Sequence, residues 1–449
     1  MSGGKIVVLD GSASGDKELP RVLEVLYQAL KADGGQIETL RLSEMKLAHC
    51  LGCFNCWVKT PGVCVEADAG REIARTIIRS DATVLFTPVT FGGYSPELKK
   101  MVDRLVQIAS PFFQMDHGEI HHPPRYAHLP RLMVVGVQRH FNATEAHIFK
   151  TLAGRNAINL HPPSFATEVV HTSENEEALR GRFETLLTRS DSLPYGESAA
   201  SLMPAPIELK ASVRFTGVRR ALLIVGSPKT NEASTSSALG SFLGECLKKR
   251  GWEMESLTLR ASLNRPEGES ELVEAVGRVG LILLVFPLYV DALPYLVTKA
   301  LAVIGAHRRI CGQPTPQRLM AIVNSGFPET LQNSIALAIC REFAFQCGFT
   351  WAGGLAFGGG GMIGGEPLTK EKRPGPPVRN VLKALEITAE CLAEGLPVPV
   401  EAANAIRRKY IPAALWNRLY VWMGAKSFEK VAAQNGISKD QLRAQPYAA

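Results

Sequence analysis

No stretch of this chain is apolar for long enough to cross a bilayer, which takes about 20 residues. No block of basic residues appears either: 50 lysines and arginines against 43 aspartates and glutamates leave a dispersed net charge of +7. That balance argues against a nucleic-acid-binding protein and suits a small anionic ligand such as a phosphate-bearing cofactor. No leader pattern is visible, because Met1-Ser2-Gly3-Gly4-Lys5 runs straight into an expected strand. The nine cysteines are odd in number and unevenly spread, which argues against a disulfide framework. A reducing, cytoplasmic setting is the expectation.

What the chain has is length and hydrophobic content. With 449 residues, 46% of them hydrophobic and 21% charged, two soluble domains are the natural expectation. In the first half, strands are expected over 5–10, 36–42, 82–86 and 132–137 and helices over 19–33, 68–79, 96–109 and 143–155. Val22, Leu23, Leu26 and Leu30 give the first helix one apolar face. In the second half, strands are expected over 220–225, 253–259, 281–286 and 319–324, with helices over 237–250, 271–277, 296–304 and 333–346. Such alternation predicts an α/β fold: two tandem doubly wound parallel sheets covered on both faces, followed by a helical tail. Arg131-Leu132-Met133 parallels Arg318-Leu319-Met320, and Thr87-Pro88-Val89 parallels Phe286-Pro287-Leu288, so the second half reads as a repeat of the first. The expected boundaries are 1–189 for the first domain, 190–218 for a linker rich in serine and proline, 219–368 for the second domain and 369–449 for a C-terminal helical extension.

Four cysteines crowd between the second strand and the next helix. Cys50, Cys53, Cys56 and Cys64 follow the spacing C-x2-C-x2-C-x7-C, and Pro61-Gly62 turns the chain back toward the first three. Thiolates select soft metals, so a [4Fe–4S] cluster, a zinc ion, and uncoordinated or redox-active thiols all remain open here.

The candidate phosphate loop is Gly226-Ser227-Pro228-Lys229-Thr230-Asn231-Glu232-Ala233-Ser234-Thr235-Ser236, which follows a strand and opens a helix. A helix N-terminus attracts anions, which points to the monophosphate of FMN on Ser227, Lys229, Ser234, Thr235 and Ser236; plain helix capping is the alternative. The matching loop at 11–17 keeps Gly11, Ser12 and Ser14 but is flanked by Asp16 and Glu18, which repel phosphate, so weak or no binding is expected there.

Ligands of open α/β sheets bind beyond the carboxyl ends of strands. There lie Pro287, Leu288, Tyr289, Val290 and Asp291, then Asn324, Ser325, Gly326 and Phe327. The first group is expected to border an isoalloxazine ring and the second to offer backbone amides to its edge. Phe91 and Tyr94 are further candidates for stacking. His117, His121, His122 and His128 are read as a polar excursion between strands rather than a metal site, because Pro123-Pro124 breaks helical ligand spacing. Tyr410, Leu415, Trp416, Leu419, Tyr420 and Trp422, with Arg407, Arg408, Lys409 and Arg418, read as a packing surface in preference to a membrane contact.

These residues carry a resemblance. Both halves resemble the NADPH-dependent FMN reductase group of flavodoxin-like proteins, and the first half is similar to its iron–sulfur flavoprotein branch. The resemblance rests on Cys50, Cys53, Cys56 and Cys64, on Ser80-Asp81, Thr87-Pro88-Val89 and Gly92-Gly93-Tyr94-Ser95, on Leu98-Lys99 with Asp103-Arg104, and in the second half on Gly226-Ser227-Pro228-Lys229, Ser234-Thr235-Ser236 and Pro287-Leu288-Tyr289. It implies a flavodoxin-like fold, FMN held by the second half, NAD(P)H or a redox protein such as a ferredoxin as reductant, a cluster on the four cysteines, and a homodimer or higher oligomer. The expected function is that of an FMN-dependent NAD(P)H oxidoreductase or electron-transfer flavoprotein, with an iron–sulfur cluster as relay. The alternative is a non-catalytic flavodoxin-like scaffold or assembly protein that has lost its flavin.

Overall fold

The computed structural model describes residues 4–195, 201–203, 218–229, 233–312, 316–369, 375–408 and 413–448. Thr230, Asn231 and Glu232 of the candidate phosphate loop, most of the expected linker, and Lys409 and Tyr410 lie outside the described residues. The chain forms two compact units, one of Met1–Gly196 with Asn417–Ala449 and one of Glu197–Trp416.

The first unit runs β1 (Lys5–Asp10), α1 (Leu19–Ala32), β2 (Gln36–Arg41), α2 (Asn55–Val58), α3 (Ala69–Ile78), β3 (Ala82–Pro88), α4 (Pro96–Val102), β4 (Gln114–Asp116), β5 (Glu119–His121), β6 (Arg131–Gln138), α5 (Ala143–Leu160), β7 (Phe165–His171) and α6 (Glu176–Thr188). Its main sheet has the order β2-β1-β3-β6-β7, all parallel. β4 and β5 form a separate antiparallel hairpin. The central strands read as near-continuous apolar runs because helices cover both faces. Val84 and Phe86 of β3 are fully buried with Leu23 and Leu26 of α1, each worth up to about 1.5–3 kcal/mol relative to exposure. The helix expected over 96–109 is α-helical only to Val102 and continues as a 3₁₀ stretch over Asp103–Ile108.

The second unit runs β8 (Arg220–Val225), α7 (Thr235–Lys248), β9 (Glu253–Thr258), α8 (Leu259–Leu263), α9 (Gly268–Gly277), β10 (Leu281–Pro287), α10 (Tyr295–Cys311), β11 (Arg318–Asn324), α11 (Ser334–Gln346), β12 (Thr350–Phe357), α12 (Pro376–Ala393) and α13 (Val400–Arg407). Its sheet order is β9-β8-β10-β11-β12, again all parallel. Numbered within each unit, both sheets have the order 2-1-3-4-5 of flavodoxin-like folds, whose ligand crevice opens where strand order reverses, beside the first and third strands.

The C-terminal region, expected as one extension over 369–449, is divided between the units. Val381, Leu385 and Leu392 of α12, Val398 between the helices, and Ala402 and Ile406 of α13 are buried in the core of the second sheet. α12 lies against α7 as α6 lies against α1; a parallel sheet needs both faces covered, and these helices supply the missing cover. The last helix, α14 (Ala413–Gln434), and the residues after it contribute Ala432 and Leu442 to the core of the first unit. At the other boundary, Asp191 caps the edge of β7 through Thr167 N–H (2.8 Å) and Tyr195 donates to Asp116 (2.7 Å), so the first unit continues past residue 189 into the expected linker.

Candidate functional site

The four-cysteine loop is shaped by two left-handed residues. Gly52 (φ 64°) and Phe54 (φ 55°) flank Cys53, so the chain doubles back there. Cys53 is left exposed at the tip, Cys56 is buried at the start of α2, and Cys50 and Cys64 are half-buried. Trp57 anchors the turn: its indole N–H donates to Val106 O (2.9 Å), and its ring stacks on Phe54 with centroids 4.9 Å apart. The base of the loop is clasped by Asp68. Its carboxylate accepts from Ala48 N–H (2.7 Å) before the loop and from Gly70 N–H (3.0 Å) in the first turn of α3, and it pairs with the buried guanidinium of Arg104. Arg71 Nε donates to Cys64 O (2.8 Å), and Gln107 Oε1 accepts from Cys64 N–H (3.1 Å).

The four thiols lie within electrostatic range of one another. Burial pushes the Cys50 thiol up to about 12, with Asp103, Cys64 and Cys53 adding to the effect and the Gly52 amide opposing it. Burial raises Cys56 as well. Without a ligand both stay protonated at neutral pH, and a bound metal would displace those protons. Among the described residues no group of three or more His, Cys, Asp or Glu side chains is arranged to hold a single metal ion. A cluster takes one thiolate at each iron rather than all four on one ion. The donor set, four thiols with Arg104 beside Cys64, suits soft-metal chemistry with partial charge compensation.

The two phosphate loops differ in what they leave open. At α7, Ser234 is the N-cap of a capping box: Ser234 Oγ accepts from Ser237 N–H (3.1 Å), and Ser234 N–H donates to Ser237 Oγ (3.0 Å). Ser236 Oγ donates to Asn324 Oδ1 (2.7 Å), and Thr235 Oγ1 donates to Gly360 O (2.9 Å). The hydroxyls expected to hold phosphate are therefore engaged within the fold. The backbone N–H groups of Thr235 and Ser236 are left as the donors, since a helix supplies no partner to its first turn and no described residue accepts from them. With buried Ser227 and exposed Lys229 close by in sequence, these residues fit an anion. At α1 the same place is filled. Asp16 Oδ1 accepts from both Glu18 N–H (3.0 Å) and Leu19 N–H (3.1 Å), Pro20 has no N–H to offer, and Arg139 pairs with Asp16 and with Glu18 (2.8 Å). The first unit carries its own carboxylate where a phosphate would sit.

The loop after β10 turns through Tyr289 and Ala292, which exchange backbone hydrogen bonds (2.9 and 3.1 Å), with Val290 (φ 48°) and Asp291 (φ 54°) between them. Two consecutive left-handed residues other than glycine, one of them β-branched, cost about 1–3 kcal/mol each and are characteristic of ligand-holding turns. The first unit makes the same turn at Thr90–Gly93, with Phe91 (φ 54°) and Gly92 (φ 84°) at its centre. Leu288 N–H donates to Asn324 O (2.8 Å), tying this loop to the end of β11. Around 324–327, Ser325 N–H donates to Phe357 O, and the carbonyls of Ser325 and Phe327 accept from Gly360 and Gly359 N–H. The glycine-rich stretch after β12 thus folds onto this loop. Gly358 can lie there only without a side chain, since a Cβ would come 2.5 Å from Pro328 O. Phe91 and Tyr94 are not platforms for a ring. Both are buried, and Tyr94 meets Phe149 edge-on with centroids 5.6 Å apart.

The histidine segment is the β4–β5 hairpin and its sequel. His121 is bonded to Glu119 (3.1 Å) and Asn159 (3.1 Å), and Glu119 also pairs with Arg155 (2.5 Å). His122 accepts no proton there at neutral pH. Burial pushes it down to about 4, against the opposing carbonyls of Phe112 and Ser110, and it packs beside Trp57 with centroids 4.6 Å apart. Asp68 and Gln107 do not stand out in the sequence as parts of a site, and Arg104 stands out only within the family resemblance, with no role attached. The Asp68-Ala69-Gly70 helix start was the available signal, but nothing local says that its cap also grips residue 48.

Residues 4–172 match the family model described as NADPH-dependent FMN reductase. An iron–sulfur flavoprotein of Archaeoglobus fulgidus is 29% identical over 102 residues, 23% of this chain and 46% of that protein. One from Methanocaldococcus jannaschii is 30% identical over 100 residues, 22% of this chain and 51% of that protein. The chain spans about half the length of the curated relatives it matches. Among solved structures, an NAD(P)H:quinone oxidoreductase from Methanothermobacter marburgensis aligns over 42% of this chain and 100% of its own, with a TM-score of 0.34 and 15% identity.

Proposed function

We propose, from the match of residues 4–172 to the NADPH-dependent FMN reductase family model, that the protein is a flavin-dependent oxidoreductase which holds FMN in its second unit and uses the four-cysteine loop of its first unit in electron transfer. The observation that carries the reading is a division of labour between two sheets of one topology. The first has the cysteine loop and fills its own phosphate position with Asp16, while the second keeps the first-turn amides of Thr235 and Ser236.

In this reading FMN, when bound, supplies hydride and single-electron chemistry. The chain's own residues bind and orient it. The amides of Thr235 and Ser236, with Ser227 and Lys229, hold the phosphate; the Tyr289–Asp291 turn borders the ring; Asn324–Phe327 faces its polar edge. Cys50, Cys53, Cys56 and Cys64 would hold a cluster, for which their number and spacing suit the [4Fe–4S] type; the curated relatives are named iron–sulfur flavoproteins. A nicotinamide cofactor or a redox protein such as a ferredoxin provides the electrons.

The absorption spectrum of anaerobically purified protein, with flavin and iron measured on the same sample, tests this. Flavin bands, a broad shoulder at longer wavelength and about four irons per chain are expected. Flavin without iron removes the relay and leaves a flavin reductase. No chromophore after FMN is added favours a scaffold without flavin, a reading motivated by the glycine-rich stretch that already engages Ser325 and Phe327.

A further inference from the structure

The cysteine loop has an outer wall that comes from the far end of the chain. Beyond α14, residues 437–447 cross the loop with one short turn of structure of their own, Gln441–Arg443. Leu442 is buried with Cys56, Trp57 and Val58, and Phe428 of α14 meets Trp57 edge-on with centroids 5.2 Å apart. Pro446 sits on Gly62 so closely that a Cβ there would come 2.6 Å from its Cδ; the φ of Gly62, 86°, independently strains any other residue.

Three side chains fasten this segment. Arg125, itself buried, donates through Nη1 to Leu442 O (3.1 Å) and Ala444 O (2.8 Å). Tyr447 Oη donates to Gln107 Oε1 (3.1 Å), the same oxygen that accepts from Cys64 N–H. Exposed Arg79 donates to Tyr447 O (3.3 Å) and Ala448 O (3.2 Å). The segment touches the loop on the side of Cys56 and Cys64, while Cys53 and Phe54 remain exposed.

We propose that residues 437–447 are a latch over the buried thiol of the four-cysteine site: Cys56 is reached by solvent, chelators and oxidants only when this segment lifts, whereas Cys53 is accessible throughout. A segment with little structure of its own, held by a few side-chain bonds, opens locally at far lower cost than global unfolding. The latch goes beyond the functional reading above and holds whether the thiols carry a cluster, carry zinc or are free.

The test compares the full-length protein with its Arg79→Gln/Tyr447→Phe variant, which alters no residue of the loop itself. In metal-free protein, N-ethylmaleimide labelling of each cysteine is followed by peptide mass spectrometry. Cys53 is expected to label at the same rate in both, and Cys56 about tenfold to a hundredfold faster in the variant, as follows from removing hydrogen bonds that hold the closed form. In protein purified with metal, release to EDTA accelerates by the same factor. An unchanged rate at Cys56, or wild-type labelling of Cys56 as fast as that of Cys53, overturns the proposal. Should the variant not fold, hydrogen exchange of the Leu442, Arg443 and Ala444 amides in the wild type replaces it. Their opening must match the opening that limits Cys56 labelling, and two different openings overturn the latch equally.

Discussion

Replacing Asp68 with alanine asks whether the cysteine loop is held from its base. The carboxylate serves three partners at once: Ala48 N–H, Gly70 N–H and Arg104, whose side chain is 1% exposed. Losing a helix N-cap costs about 1 kcal/mol. Stranding a buried charge by removing its partner costs about 3–5 kcal/mol. Arg104 keeps the carbonyls of Ala48 (3.1 Å) and Glu66 (3.4 Å), which moves that figure to its lower end, and the terms are not additive because one carboxylate supplies them all. Asp68→Ala is therefore expected to lower the stability of the first unit by about 3–4 kcal/mol. Asp68→Asn, which keeps an acceptor but not the charge, is expected to cost about half of that. Glu72→Gln breaks an exposed pair with Arg75 (2.9 Å) and is expected to cost less than about 0.5 kcal/mol.

Urea unfolding followed by circular dichroism reads these differences, and pH gives an independent check. Burial by itself would raise the Asp68 carboxyl; its bonds to Arg104, Ala48 N–H and Gly70 N–H outweigh that and hold it below the usual range. Its stabilisation is thus complete above the unfolded value of about 3.9 and is lost as pH falls through the lower folded value. The gap between wild type and Asp68→Asn should close in that window. An Asp68→Ala variant as stable as Glu72→Gln, or a gap that stays constant into acid, refutes the clasp.

Two further outcomes are expected. Thr235→Pro removes one first-turn N–H at the helix position that best tolerates proline, where the preceding Ser234 is already extended (φ −140°, ψ 155°). FMN affinity measured by fluorescence titration should fall about tenfold or more, while riboflavin, which lacks the phosphate, and the control Thr235→Val should change little; an unchanged FMN affinity removes the phosphate from α7. His122 is held neutral by burial down to about pH 4, so the unfolded chain takes up a proton below about 6.5 that the folded chain does not. Stability should decline from pH 6.5 toward 4 with a slope of at most about 1.4 kcal/mol per pH unit from this residue; His122→Gln should flatten it, and a slope identical in both proteins would show that His122 is not its source.

What the sequence alone determined about this protein was local. Period-two and period-3.6 patterns, glycine stops and the Cys50–Cys64 spacing are properties of neighbouring residues, and they placed the βα alternation, the loops that open α1 and α7 and the four-cysteine loop. The acidic pair Asp16 and Glu18 was likewise legible as hostile to phosphate, although its manner was not. That Asp16 turns its carboxylate onto the helix amides and is held by Arg139 depends on a strand end more than 100 residues away. Only the tertiary structure decided that the hydroxyls of Thr235 and Ser236 are engaged within the fold, because Asn324 at the end of β11 and Gly360 after β12 reach them. The same holds for the two C-terminal helices that finish the second sheet and for the last residues of the chain, which close over a loop made from residues near its beginning. An amphipathic segment announces that it must bury one face; which surface receives that face is set by where uncovered apolar area and unpaired donors remain once the sheets have formed.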